Sequence, residues 1–99
     1  MAPRRKSPKR NAAVRSRMMF YSRSAACGLC GVTEAELAVW EAEELLAPAR
    51  LLERDNRFEP LYDEAALQRI RLIRTLADDL EVNLPGIDVI LNLLQQLQR

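Results

Sequence analysis

The stretch Glu81-Val82-Asn83-Leu84-Pro85-Gly86-Ile87, with the apolar run behind it, constrains this chain more than any other part. A helical pattern from Asp63 to about Leu80 stops before it. Asn83 can cap a new helix, and Pro85 is tolerated only in that helix's first turn, where its missing N–H would be unpaired anyway. From there Leu84, Ile87, Ile90, Leu91, Leu94 and Leu97 recur at three- and four-residue steps, with Val89 and Leu93 beside them. A stripe this wide exceeds what one intramolecular face needs. The expectation is a terminal helix that packs back on the preceding one and also offers a face to a second chain. Ile87, Ile90, Leu91, Leu94 and Leu97 are the expected homodimer contact.

Composition narrows the class. Ninety-nine residues make one domain at most. With 48% apolar residues, few glycines and little alternating pattern, the chain reads as mainly helical. A core of roughly 80 residues is marginal, so dimerisation would support it. No run approaches the ~18 apolar residues of a membrane span, and the N-terminus lacks the apolar core of a secretory signal. The expected compartment is the cytoplasm.

The net charge of +1 conceals an asymmetry. Residues 1–17 hold seven basic residues (Arg4, Arg5, Lys6, Lys9, Arg10, Arg15 and Arg17) and no acid. In residues 18–99 the other eight basic residues stand against all fourteen acids, a net of −6. Residues 1–18 therefore read as a disordered basic tail and 19–99 as the folded domain. The tail suits phosphate or another anionic surface. Translation from Met18 or Met19 would remove it, since the patterned sequence begins there.

Within the domain, Ser22 or Ser24 can cap a first helix ending near Cys30 at Gly31, with Ala25, Ala26, Leu29 and Cys30 inward. Thr33-Glu34-Ala35-Glu36 is a capping box for a second helix running to about Leu46. Leu37, Trp40, Leu45 and Val39 are its expected inward residues. Leu51-Leu52-Glu53 and Phe58-Glu59-Pro60-Leu61 can form a small wing around Asp55-Asn56-Arg57. Asp63 caps a third helix with Ala66, Leu67, Ile70, Ile73, Leu76, Ala77 and Leu80 along one side. Arg69, Arg71 and Arg74 fall outside that stripe, with Asp78 as a local partner for Arg74.

Helix, turn, helix, wing, long helix, Asn-Leu-Pro-Gly-Ile, apolar helix: this order resembles the MerR-type winged helix-turn-helix superfamily. Over residues 19–97 it is most similar to the CbpM-type chaperone modulators. The likeness rests on Val82-Asn83-Leu84-Pro85-Gly86-Ile87 and on the spacing from Gly31-Val32 through Leu45-Leu46-Ala47-Pro48 to Phe58 and Tyr62-Asp63-Glu64. It implies a non-enzymatic modulator, inhibitory in sense, of a J-domain co-chaperone of the CbpA/DnaJ type. The superfamily also implies a rival, a DNA-binding transcriptional regulator related to heat-shock repressors. A third reading is an assembly factor tethering a J-protein to its Hsp70.

The second helix separates these readings. DNA-binding members usually place an Arg and an aromatic pair early in it; here those positions hold Ala38, Val39 and Trp40. The helix carries Glu34, Glu36, Glu41, Glu43 and Glu44 and no Lys or Arg. Most affinity for duplex DNA comes from Lys and Arg neutralising phosphates, so carboxylates there oppose docking. Glu34, Glu41, Glu43 and Glu44 are the expected contacts to a basic J-domain helix. No cofactor or metal is expected. Cys27-Gly28-Leu29-Cys30 supplies two thiols, and a tetrahedral zinc site needs four ligands in a chain that has no His. The lack of His and of a phosphate loop also argues against catalysis.

Overall fold

The computed structural model describes residues 19–98. The expected basic tail lies outside the described residues. Strand β1 (Tyr21–Ser22) leads into α1 (Arg23–Cys30) and α2 (Glu34–Ala42). The wing follows as β2 (Arg50–Arg54) and β3 (Arg57–Tyr62). Helix α3 (Glu64–Arg74) continues into a π-helical turn (Thr75–Asp79), and α4 (Leu84–Leu97) closes the domain. This is the expected winged helix-turn-helix, with β1 joining the two wing strands in one sheet.

Each helix starts on a side-chain cap. Ser22 Oγ accepts from the Ala25 N–H at 3.1 Å, and Asp63 Oδ1 from the Ala66 N–H at 2.9 Å. Thr33 and Glu36 exchange both bonds of the capping box. Asn83 Oδ1 accepts from the Gly86 N–H at 2.9 Å, with Pro85 in the first turn. Gly86 has a further reason to be glycine: a Cβ there would lie 2.8 Å from Val82 Cγ1 and 3.0 Å from Asn83 Oδ1.

The sheet is antiparallel in the order β1-β3-β2. The wing turns on Asp55 and Asn56, both left-handed at φ 52° and 63°, the two-residue turn whose twist matches the strands. Arg57 is the first residue of β3 and pairs with Arg54. Pro60 is accommodated opposite Leu51, and Tyr21 pairs with Tyr62.

The core gathers Leu37 and Trp40 from α2, Leu45 after it, Tyr62 from β3, Leu67, Ile70 and Ile73 from α3, and Ile87 and Leu91 from α4. Burying an aliphatic side chain of this size contributes ~1.5–3 kcal/mol, so few can be lost from so small a domain.

Four expectations are corrected. Helix α2 stops at Ala42, not Leu46: Glu44 takes a left-handed φ of 61°, its N–H donates to Glu41 O, and the Leu45 N–H donates to Trp40 O at 2.9 Å. That closure tucks Leu45 under the helix. Val39 is exposed, because the inward side of α2 is the Leu37–Trp40 side. Leu29 is exposed and Cys27 buried, while Ala25 is half-buried. Leu80 is exposed, because the π-helical turn winds more residues into a turn and delays the stripe.

Candidate functional site

Helix α2, the second helix of the helix-turn-helix, was expected to carry the recognition surface, and its Glu34, Glu36 and Glu41, with Glu43 and Glu44 just past its end, have four different fates. Glu41 is turned inward. Its Oε1 accepts from Arg23 Nη1 at 2.7 Å, and its Oε2 accepts from the Tyr62 hydroxyl at 2.6 Å. Arg23 Nη1 also donates to the Tyr62 hydroxyl at 2.9 Å. The three side chains come from α1, α2 and β3 and close a triangle over the core. Tyr62 is fully buried. Burial, then the hydrogen bond to Glu41 and that carboxylate's charge, push its phenol well above the ordinary tyrosine range. Burial works against the charge on Arg23, but the bond to Glu41 and the neighbouring charges outweigh it and leave its pKa raised.

Glu41 is therefore a structural latch, which corrects its expected place among the partner contacts: both carboxylate oxygens are already engaged. The helix also has a compensating base after all, supplied by α1. Arg23 Nε lies 3.8 Å from Glu34 Oε1 as well. The Glu34 side chain stays 61% exposed, so that contact is a weak surface pair. Glu36 is tied into the capping box. Glu43 and Glu44 are exposed and form no ion pair among the described residues.

What remains on the outward face of α2 is Ala35, Ala38, Val39 and Ala42, all exposed, with Glu34 at one end and Glu43 at the other. The ends are roughly 13 Å apart along the axis. No cation projects from the helix. The face is lined by small apolar side chains and bounded by acids, and it offers a phosphate backbone no counter-charge.

Positive charge sits on the wing. Arg50 lies over the Phe20 ring, 5.0 Å from its centroid. Arg54 approaches Glu59 at 3.9 Å, with both side chains half or more exposed. Arg57 is exposed, as are Leu51 and Phe58. On α3, Arg69 leaves the expected solvated face to donate from Nε to Leu45 O at 2.6 Å, pinning the end of α2. Arg71 pairs with Glu64 at 3.7 Å. Arg74 forms no ion pair with Asp78, which sits in the π-helical turn, where four residues no longer bring side chains into line.

The expected dimer face divides in two. Ile87 and Leu91 are buried in the chain's own core, so they are not available to a second chain, a correction to that set. Ile90 is half-buried against the core. Leu94 and Leu97 are exposed, together with Val89 and Leu93.

Cys27 and Cys30 are free thiols, both buried. Cys30 Sγ donates to Leu67 O at 3.5 Å. Burial raises both thiol pKa values, which disfavours the thiolate. Among the described residues no three His, Cys, Asp or Glu side chains are grouped to hold a metal ion, and no helix is long and apolar enough to cross a membrane.

Sequence reasoning missed Arg23 and Tyr62. Their partnership with Glu41 spans separations of 18 and 21 residues. Nothing in the local pattern of α1 or β3 marks it. Residues 21–94 match the family described as MerR HTH family regulatory protein. No curated protein matches the chain.

Proposed function

Because the chain belongs to the family of MerR helix-turn-helix regulatory proteins, we propose that its reading helix serves a protein ligand instead of an operator. In the finer reading it is a non-enzymatic modulator of a J-domain co-chaperone. The outward face of α2 binds the basic helix with which a J-domain docks on Hsp70, and so inhibits by competition. One observation carries this: the surface that a relative would lay against phosphates holds Ala35, Ala38, Val39 and Ala42 between Glu34 and Glu43, with no cation. A basic amphipathic helix complements that face in charge and in its apolar strip. Glu44 extends the acid edge, while Glu41 acts only by holding α2 in place. The same molecule pairs with a second copy through Ile90, Leu94 and Leu97.

Titrating an isolated J-domain into the full chain tests the reading. The double variant Glu34→Lys/Glu43→Lys should weaken binding at least tenfold and make what remains less sensitive to salt, with a thermal midpoint lowered by only a few degrees, since a lysine at position 34 opposes Arg23 and the helix start. Wild-type affinity in that variant would overturn it. The sign of the effect on chaperone ATPase rate separates a competitor from a tether.

A second reading has its own support. Arg54 and Arg57 meet at the wing tip, directly opposite each other and exposed, and the first seventeen residues are basic. Transcriptional regulation through wing and tail predicts operator binding that Arg54→Gln/Arg57→Gln abolishes. Duplex binding that survives this change would remove the wing from consideration.

A further inference from the structure

We propose that the wing supplies a second wall to the docking surface of α2: Leu51 and Phe58 anchor the apolar side of a basic amphipathic helix, and Glu53 meets one of its cations. The inference rests on the reading of α2 given above and extends it to residues of another element.

The strand register sorts the wing by side. Side chains alternate along a strand, so Phe58 and Pro60 share a side of β3 with Tyr62, which is buried in the core. Leu51 pairs with Pro60 and Glu53 with Phe58, so both join that side. Leu51 and Phe58 are diagonal neighbours across the hairpin, within reach of each other. Among the described residues they stay uncovered: Leu51 is 57% exposed and Phe58 65%. By the same register Arg50, Arg54 and Arg57 share the opposite side. There Arg50 lies over Phe20 and Arg54 approaches Glu59. The arginines of the wing thus stand on one side, and the apolar pair stands on the other with a carboxylate.

That apolar side borders α2. Glu34 and Glu41 lie about two turns apart and edge the same side of the helix. Both reach Arg23, and Glu41 also holds Tyr62 of β3. A cleft of about 310 Å³ continues the border, with Arg23 and Glu34 on one bank and Glu59 and Pro60 on the other. From Pro60 to Phe58 is roughly 7 Å of strand. A helix laid on Ala35, Ala38 and Ala42 therefore has the wing along its flank.

Charge selects the occupant. A polyanion such as duplex DNA is drawn to the arginine side and meets Glu53 on this one. A second copy of the same surface sets Glu53 and the acids of α2 against their own kind. A basic helix with an apolar stripe satisfies both walls. Its cations face Glu34, Glu43 and Glu53, and its apolar side chains face Val39, Leu51 and Phe58. Aromatic anchors dominate contacts of this sort, which makes Phe58 the main source of affinity on the wing.

The test titrates the full chain with an isolated J-domain and, separately, with a synthetic helical peptide of Leu and Lys that carries one apolar stripe. The variant Leu51→Thr/Phe58→Thr keeps strand-forming residues at both positions, and a thermal midpoint within a few degrees of wild type checks that the wing is retained. Its affinity for both probes should fall about tenfold or more. Salt dependence should stay as in wild type, because no charge is altered. Arg54→Gln/Arg57→Gln, on the opposite side, should bind both probes as wild type does. Wild-type affinity in Leu51→Thr/Phe58→Thr overturns the proposal, and so does loss of binding in the arginine variant. Amide shifts of Leu51 and Phe58 that depend on protein concentration without any probe assign this side to a second copy and overturn it as well. The two claims separate cleanly. If Glu34→Lys/Glu43→Lys loses the J-domain while Leu51→Thr/Phe58→Thr keeps it, the reading of α2 stands and the wing wall falls. If no J-domain binds the wild-type chain but the peptide shifts the amides of Val39, Leu51 and Phe58, the co-chaperone reading falls and the wall stands. If neither probe binds, both fall.

Discussion

Replacing Glu41 by Ala should unsettle the domain, while replacing Glu43 by Ala should not, although the two sit two residues apart in the chain. Removing Glu41 strands Arg23, whose side chain is 25% exposed, and deprives the Tyr62 hydroxyl of its acceptor. Breaking a fully buried ion pair costs roughly 3–5 kcal/mol. Here residual water contact around Arg23 roughly halves that. The phenol adds only about 1 kcal/mol, the low end for an unsatisfied buried group, since it still accepts from Arg23. The total is about 2.5–3.5 kcal/mol, or a fall in melting temperature of roughly 10–28 °C for a domain of this size. Glu43→Ala removes an exposed carboxylate without a partner among the described residues and should stay within about 0.5 kcal/mol. Thermal unfolding followed by helical dichroism and by fluorescence of buried Trp40 measures both. A double-mutant cycle of Glu41→Ala with Tyr62→Phe should show coupling of about 1 kcal/mol or more. If Glu41→Ala costs no more than Glu43→Ala, the triangle holds nothing and Glu41 returns to the candidates for partner contact.

Three further outcomes are expected. Above about pH 10, an unfolded tyrosine releases its proton while Tyr62, its pKa raised by burial, keeps it; the unfolded state then binds fewer protons and stability declines. Denaturation at stepped alkaline pH should show that decline, and Tyr62→Phe should flatten it. Gly86→Ala would ordinarily stabilise a helix by up to about 1 kcal/mol; the 2.8 Å approach to Val82 Cγ1 reverses the sign here, to a loss of about 1–2 kcal/mol by chemical denaturation. Glu44→Gly relieves a left-handed glutamate and should be neutral or stabilising by up to about 1 kcal/mol, whereas Glu44→Val should destabilise.

Local chemistry made most of the architecture legible. Ser22, Thr33, Asp63 and Asn83 mark their helix starts because a cap is a short-range bond between a side chain and an amide two or three residues on. The third-helix stripe was readable as far as Leu76 because packing on one face imposes a helical period. The end of α2 was hidden because its left-handed residue is Glu44, not glycine, so the usual punctuation is missing. Leu80 was misplaced because nothing in Thr75-Leu76-Ala77-Asp78-Asp79 announces a widened turn. At the candidate site, the missing cations on α2 were plain from the residue types alone. The split among its carboxylates was not: Arg23 and Tyr62 meet Glu41 only after three elements have packed. The same limit governs Ile87 and Leu91, which share one stripe with the exposed Leu94 and Leu97. A periodic stripe shows which residues avoid water, and it does not say whose atoms cover them.

The widened turn at Thr75–Asp79 acts as a gear tooth between two helices. Each residue added to or removed from a helix rotates everything beyond it by roughly 100°. Restoring ordinary winding there by deleting one residue would turn Leu80 by that amount and move the point from which residues 80–83 lead to the last helix. The place where the last helix sets out is thus tuned by one peptide unit, while buried Ile87 and Leu91 fix which of its sides faces outward.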